Sequence, residues 1–296
     1  MSDPLESLRR KITGATDLES VVRTMKVLAA SNIVQYEKAV SSLADYYKTV
    51  ELGLKVCFQN GETLISNEKT GYPKNERIGA LVFGSDQGLV GQFNDTLADF
   101  TEKMLNNFPG EKRIWAVGER MQSRLEDSAL SLEGMFPVPN SVNTITPIIG
   151  QIFLESEYSR EKGEISQFFI FHNKPKPGVI YEPFVQRLLP LDDQWYKSVA
   201  QLKWPTPYLP EAINGLTPTL RGLIRQYLFI SLFRACAESL ASENTSRLAA
   251  MQRAEKNIDE LLEDLNRTFH RLRQSTIDEE LFDVISGSEA LSKGLS

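Results

Sequence analysis

The sequence has 296 residues, 41% apolar and 24% charged, with 33 basic against 39 acidic side chains and a net charge of −6. That is a globular composition, long enough for one or two domains to bury a core without a metal or disulfide staple. It excludes the basic excess with which a nucleic-acid binder displaces counterions from phosphate.

The start, MSDPLESLRRKIT, has no apolar secretory core. The longest apolar run, 227–233, falls far short of the ~18 residues that cross a bilayer. Two cysteines, Cys57 and Cys236, fit a reducing cytoplasm. Prolines then divide the chain, because each removes a backbone donor and clashes with the preceding helical turn. None lies between Pro4 and Pro73 or after Pro218, so long helices are possible at both ends.

In the first of these segments Leu18, Val22, Met25, Ala29, Asn32, Tyr36, Ala39, Leu43, Tyr46 and Val50 recur in steps of four and three. Leu5, Leu8, Ile12 and Ala15 extend the series, with one irregular step near Ala15. A stripe this narrow is a coiled-coil seam, suited to one long partner rather than to a globular core. From Leu5 to Phe58 the helix would run about 80 Å.

The prolines' other boundary opens the partner. From Leu216 the same alternation continues through Leu220, Leu223, Tyr227 and Ile230 to Leu262, Leu265, Phe269, Leu272 and Thr276, with Arg234, Asn244, Glu255 and Thr276 its poorly apolar members. Thr217-Pro218 reads as cap and first helical residue and Gly287 as the stop, giving about 105 Å. An antiparallel pair follows if both helices enter a middle domain from one side. The alternative is a bundle that folds back at Gly222 or around Ala241-Ser242.

The period changes between the helices. Arg77–Gly84 reads as a buried strand, a glycine-rich turn follows, and 94–107 is helical. Ile114–Gly118 is a second strand with a helix at 119–125 behind it, and 129–136 a weak third. Pro147 is expected to open a helix running to Tyr158, and 165–172 with 179–188 to form an antiparallel hairpin. Residues 190–212, rich in proline and aromatics, read as a connecting loop. The domains are therefore 1–58, a first helix; 73–212, a central α/β domain; and 216–287, a second helix.

The most enzyme-like feature is GSDQGLVGQFN, 84–94, since glycines between a strand and a helix can turn amides toward a phosphate. Its spacing is neither GxGxxG nor GxxxxGK[ST], and a tight strand-to-helix turn explains it. His172 and His270 lie far apart without a metal-ligand pattern around either. The acids of 258–265 mark a solvated helix face. No nucleophile, base and orienting group assemble, so no catalytic residue, cofactor or metal is expected.

At this point the residues resemble a family. RRKITGATDLESVVRTMKVLAAS, VFGSDQGLVGQFN, LASENTSRLAAMQRA and the tail LRQSTIDEELFDVISGSEAL are similar to the gamma subunit, or central stalk, of the F-type ATP synthase. The resemblance implies an antiparallel coiled-coil shaft carrying a Rossmann-like α/β domain. Its function would be that of a non-catalytic rotor, coupling ion translocation through a membrane ring of c subunits to ATP synthesis or hydrolysis in a hexamer of catalytic and non-catalytic subunits. The lower part would rest on an epsilon subunit, and the complex would lie peripherally on the cytoplasmic side of a bacterial, thylakoid or plasma membrane. A coiled-coil scaffold with an α/β head and a nucleotide-using enzyme stand as the other readings.

By that resemblance the subunit contacts fall on Met25, Lys26, Arg247, Arg273 and Gln274. Setting Met25 near Arg247 fixes an antiparallel register that brings Cys236 near position 36 and Cys57 near position 215, too far apart for a mutual disulfide. The last ~20 residues would extend as a single helix into an apolar sleeve of the hexamer. The chain departs from the family pattern at Asp278 and Ser288, and at Asn32, Ile33, Val34 and Gln35, where the pattern is more basic. A less positive shaft points to a divergent or second type of ATP synthase. No cysteine pair lies in the middle domain, which argues against thiol regulation.

Overall fold

The structure is a computed structural model and describes residues 4–59, 77–128, 130, 132–191, 193–213 and 215–293. Two sequence expectations, the domain boundary at Pro73 and a third strand beginning at Ala129, fall outside these residues. Six helices and five strands follow in chain order among the described residues: α1 Pro4–Gln59, β1 Arg77–Phe83, α2 Phe93–Asn106, β2 Glu111–Val117, α3 Glu119–Glu126, β3 Leu132–Phe136, α4 Val142–Glu161, β4 Gln167–Lys176, β5 Val179–Leu189, α5 Asp193–Gln201 and α6 Leu216–Lys293. The fold class is thus the expected one, long terminal helices with a central α/β domain.

Three corrections concern element ends and connections, and the alternative of a broken second helix falls away. α6 runs through Gly222 and Ala241-Ser242 without a break, and through Gly287 to Lys293 rather than stopping. A single glycine costs a helix only about 1 kcal/mol, too little to end one this long. α4 starts at Val142, where Ser141 and Thr144 form a reciprocal capping box. Pro147 therefore sits in its second turn and forgoes one hydrogen bond. The connection 190–212 contains α5, whose Trp195 and Tyr196 pack on Phe58 at 5.9 and 4.4 Å between ring centres.

The chain separates into two compact units, one made of the stretches up to Leu28 and from Leu248 onward, the other of Ala29–Arg247. In the first unit α1 and α6 pack antiparallel: the guanidinium of Arg9 lies 5.5 Å from the centre of the Phe269 ring, while Arg23 and Lys26 reach Glu255. The α6 seam positions from Met251 through Glu255, Ile258, Leu262, Leu265, Phe269 and Leu272 to Thr276 are buried or half-buried, as the four-three stepping requires. On α1, Ala15 is buried and Val22 and Met25 half-buried, but Leu18 is exposed. Beyond Thr276 the described side chains of α6 are exposed all round, Ile277, Leu281, Phe282 and Val284 included.

The second unit is built on a mixed five-stranded sheet of order β3-β2-β1-β4-β5, parallel except for the β4–β5 hairpin. Alternation along the central strands sends side chains to two covered faces. Ile78, Ala80 and Val82 meet Leu97, Leu105, Met121 and Leu125 from α2 and α3. Leu81, Phe83, Trp115 and Ile170 meet α4 together with Leu54 and Cys57 of α1 and Leu232, Ala235 and Leu240 of α6. Each large side chain buried here contributes about 1.5–3 kcal/mol. Between Tyr227 and Ser246 α6 is buried on nearly every side, far more than a two-in-seven stripe predicts.

Candidate functional site

Met25 and Lys26 lie half-buried on α1. Lys26 Nζ donates to Glu255 Oε2 at 2.5 Å, and Arg23 Nε donates to Glu255 Oε1 at 3.3 Å. The bond from Lys26, more than any other influence, holds the Glu255 carboxyl below the usual carboxylate range. Glu255 was readable in the sequence only as a polar interruption of the α6 seam. It is the residue to which two cations of the facing helix converge, so much of the Lys26 charge is met inside the chain.

Arg247, on α6 in the second unit, donates from Nη2 to Glu243 Oε1 at 2.7 Å, one turn earlier. Both side chains are largely buried, at 14% and 6% exposure. Burial pushes the Glu243 carboxyl up from its ordinary value; Arg247 opposes this, and the charge of Asp86 adds to it. Arg273 and Gln274, on α6 in the first unit, are exposed and make no side-chain hydrogen bond or ion pair among the described residues. They stand about 27 Å along α6 from Glu255, the partner of Lys26. Within the first unit, Arg273 and Gln274 therefore form a station separate from Lys26. The expected proximity of Cys236 to position 36 holds: the thiol is close enough to help raise the Tyr36 hydroxyl, which burial above all pushes up to about 12.

The glycine-rich stretch after β1 lies at the topological switch point, where β2 and β4 flank β1 on opposite sides. Doubly wound sheets bind ligands in that crevice. Here the chain's own residues occupy it. Asp86 accepts the N–H of Glu119 at the start of α3 and the N–H of Val138, at 3.1 and 3.2 Å. Asn94 accepts the N–H of Ser85 and donates to its hydroxyl. From α6, Ser239 donates to the carbonyl of Phe83 and Ser246 to that of Val90. A Cβ on Gly84 would stand 2.2 Å from Met121 Cβ, and one on Gly118, at φ +105°, would stand 2.6 Å from the Ser85 carbonyl carbon. The glycines allow α3 and this turn to close on each other, and the Asp86 carboxylate takes the first N–H of α3. The expected tight turn is what forms.

A second buried group was not anticipated in its role. His172, the last inward residue of β4 on the α6 face, has Nε2 2.9 Å from Glu238 Oε2, and Arg234 Nε donates to Glu238 Oε1 at 2.8 Å. Burial lowers the His172 pKa despite Glu238. Burial works the other way on Glu238, but the bonds from His172 and Arg234 outweigh it and hold that carboxyl below its usual range. The group ties sheet to helix within the second unit.

Comparison with known proteins decides what these helices belong to. The ATP synthase family model matches residues 4–291. The chain belongs to the ATP synthase gamma chain family. The ATP synthase gamma chain of Clostridium pasteurianum is 27% identical over 293 residues, covering 98% of this chain and 99% of that one. Among solved structures, a chain of the Euglena gracilis mitochondrial ATP synthase rotor covers 92% of this chain and 98% of its own at a TM-score of 0.62 and 14% identity. One from the central stalk and c-ring of the Tetrahymena thermophila mitochondrial enzyme covers 79% and 99% at 0.55 and 21%. These structures share the fold. A gamma chain is a non-catalytic subunit of its complex, so the scaffold and nucleotide-enzyme readings give way.

Proposed function

We propose that the chain is the central rotor of an F-type ATP synthase, with α1 and α6 as the shaft inside a hexamer of catalytic and non-catalytic subunits. The central α/β domain and the lower shaft bear on an epsilon subunit and on the membrane ring of c subunits. Rotation presents changing faces of the shaft to each catalytic subunit, opening and closing its site in turn and so coupling ion flow to ATP synthesis or hydrolysis. The domains of this machine are 1–58, 73–212 and the second shaft helix, placed at 216–287 from the sequence and running on to Lys293. The complex sits peripherally on the cytoplasmic face of a bacterial membrane or its thylakoid equivalent. Among the described residues no helix is long and apolar enough to cross a bilayer.

The observation that carries this reading is the full-length family match combined with the α1–α6 seam. Tens of residues in one seam resist unwinding together, which is the property a torque-bearing axle needs. Met25, Lys26, Arg247, Arg273 and Gln274 are its proposed contacts with the hexamer. Arg273 and Gln274 are the first to test because their side chains are exposed and uncommitted. An arginine can hold a carboxylate with two parallel bonds, which lysine cannot.

The test is purification of the complex through a tag on this chain. ATPase subunits should co-purify, and their absence would contradict the rotor. In that complex Arg273→Ala with Gln274→Ala should cut ATP-driven ion pumping by about tenfold, equivalent to about 1.4 kcal/mol, while leaving assembly intact. Undiminished pumping would remove these two residues from the contact.

A further inference from the structure

A cleft of about 240 Å³ opens in the second unit between α1, α6 and the turns after β1 and β3. Asn32, Tyr36, Asp86, Asn140, Glu243 and Arg247 are among the residues that line it. Its charge does not balance. Asp86 spends both oxygens on neutral backbone N–H groups, which leave its negative charge in place. Glu243 is 95% buried, and Arg247 reaches only its Oε1; no other hydrogen bond to its carboxylate is made by the described residues. Arg247 is the one cation among the described residues lining the cleft, facing two acids. Tyr36 is 97% buried, and its hydroxyl makes no hydrogen bond among the described residues.

While the Asn140 amide oxygen already accepts from the Thr144 hydroxyl, the Glu243 carboxylate, short of positive charge, the Tyr36 hydroxyl and the Asn32 amide oxygen line the cleft and make it acceptor-rich. An incoming ammonium or guanidinium group satisfies it. A metal ion fits less well: no group of three His, Cys, Asp or Glu side chains that could hold one occurs among the described residues, and Arg247 would repel it. Arg247 also offers donors that a free ion cannot use, whereas a peptide brings its own carbonyl oxygens.

We propose that this cleft receives a lysine or arginine side chain from a neighbouring subunit, with the cationic end against Glu243 and Tyr36 and a nearby backbone carbonyl of the same partner against Arg247. This rests on the rotor reading, since it takes the partner from the complex. The shared chemistry, a cation on a flexible arm, also describes a free polyamine, and the experiment separates the two.

The assembled complex is imaged at side-chain resolution. A lysine or arginine of another subunit within hydrogen-bond distance of Glu243 in at least one rotary position is the expected result. A cleft filled by acidic or apolar side chains, or by solvent in every position, would overturn the inference. Glu243→Gln keeps the shape of the side chain and removes its charge, and Tyr36→Phe removes only the hydroxyl. Each should weaken retention of the chain in the complex at low salt, Glu243→Gln by about fivefold, as for one charge pair. Unchanged retention in both variants would contradict the proposal. Spermidine titrated into the full isolated chain should not bind saturably below millimolar concentration; micromolar binding lost in Glu243→Gln would give the cleft to a polyamine instead. If the chain enters no ATPase complex, the rotor reading fails; if it enters and the cleft meets no basic side chain, only this inference fails.

Discussion

His172 is the residue whose environment makes the clearest demand on solution conditions. It is buried and neutral, with its pKa below the ordinary 6.5, so the unfolded chain binds a proton at a pH where the folded one does not. Stability linked to His172 is therefore present above about pH 6.5 and declines as the pH falls from there toward the folded value. Glu238 continues the trend: its folded pKa lies below 4.5, so its contribution is lost on further acidification. Thermal melts from pH 8 to 5 should show a falling midpoint that His172→Gln flattens above pH 5. A variant with the parent's pH dependence would show that this histidine is not the group responsible. Neither histidine stood out in the sequence, because what matters about His172 is its partner 66 residues away on another element.

At the scale of elements, spacing alone reveals whatever repeats and misses whatever is set by a single partner. The stepping from Leu18 to Val50 and from Leu216 to Thr276 announces α1 and α6, and the apolar run 78–83 announces the central strand. α5 was hidden because Trp195, Tyr196 and Val199 form too short a pattern to stand out among prolines and aromatics. The all-round burial of α6 from Tyr227 to Ser246 did carry a signal, the small residues of ACAESLAS, 235–242, which let sheet and helix approach closely. The contact residues carried none from spacing: Lys26 and Arg273 are chemically ordinary helix cations, and only the family resemblance singled them out. The turn at the switch point is the most demanding element locally. Gly118→Ala places a Cβ against the Ser85 backbone at a positive φ, and two mechanisms of strain together should cost more than about 2 kcal/mol. Denaturant unfolding checks this, and a loss within 0.5 kcal/mol would mean that the turn relaxes freely.

For the whole molecule, the sequence and the structure agree on a division of labour. The sheet and its helices form a body whose core includes residues of α1 and α6, and the other unit carries Arg273 and Gln274, the exposed residues proposed as hexamer contacts. Two features bear on the charge of the shaft. Neutral or apolar residues stand at Asn32, Ile33, Val34 and Gln35, and Glu255 draws Lys26 and Arg23 inward. Both lower the positive charge that the shaft offers to the proposed surrounding hexamer.

Rotation itself is the central claim, and it can be observed directly. Cys57 and Cys236 are buried, so a cysteine introduced at the exposed Lys103 on α2 offers an outward attachment point for a reporter bead on a complex held by its hexamer. With ATP supplied, the account predicts stepwise turning of the bead in one direction, halted when hydrolysis is inhibited. Steady hydrolysis beneath a bead that never turns would contradict it.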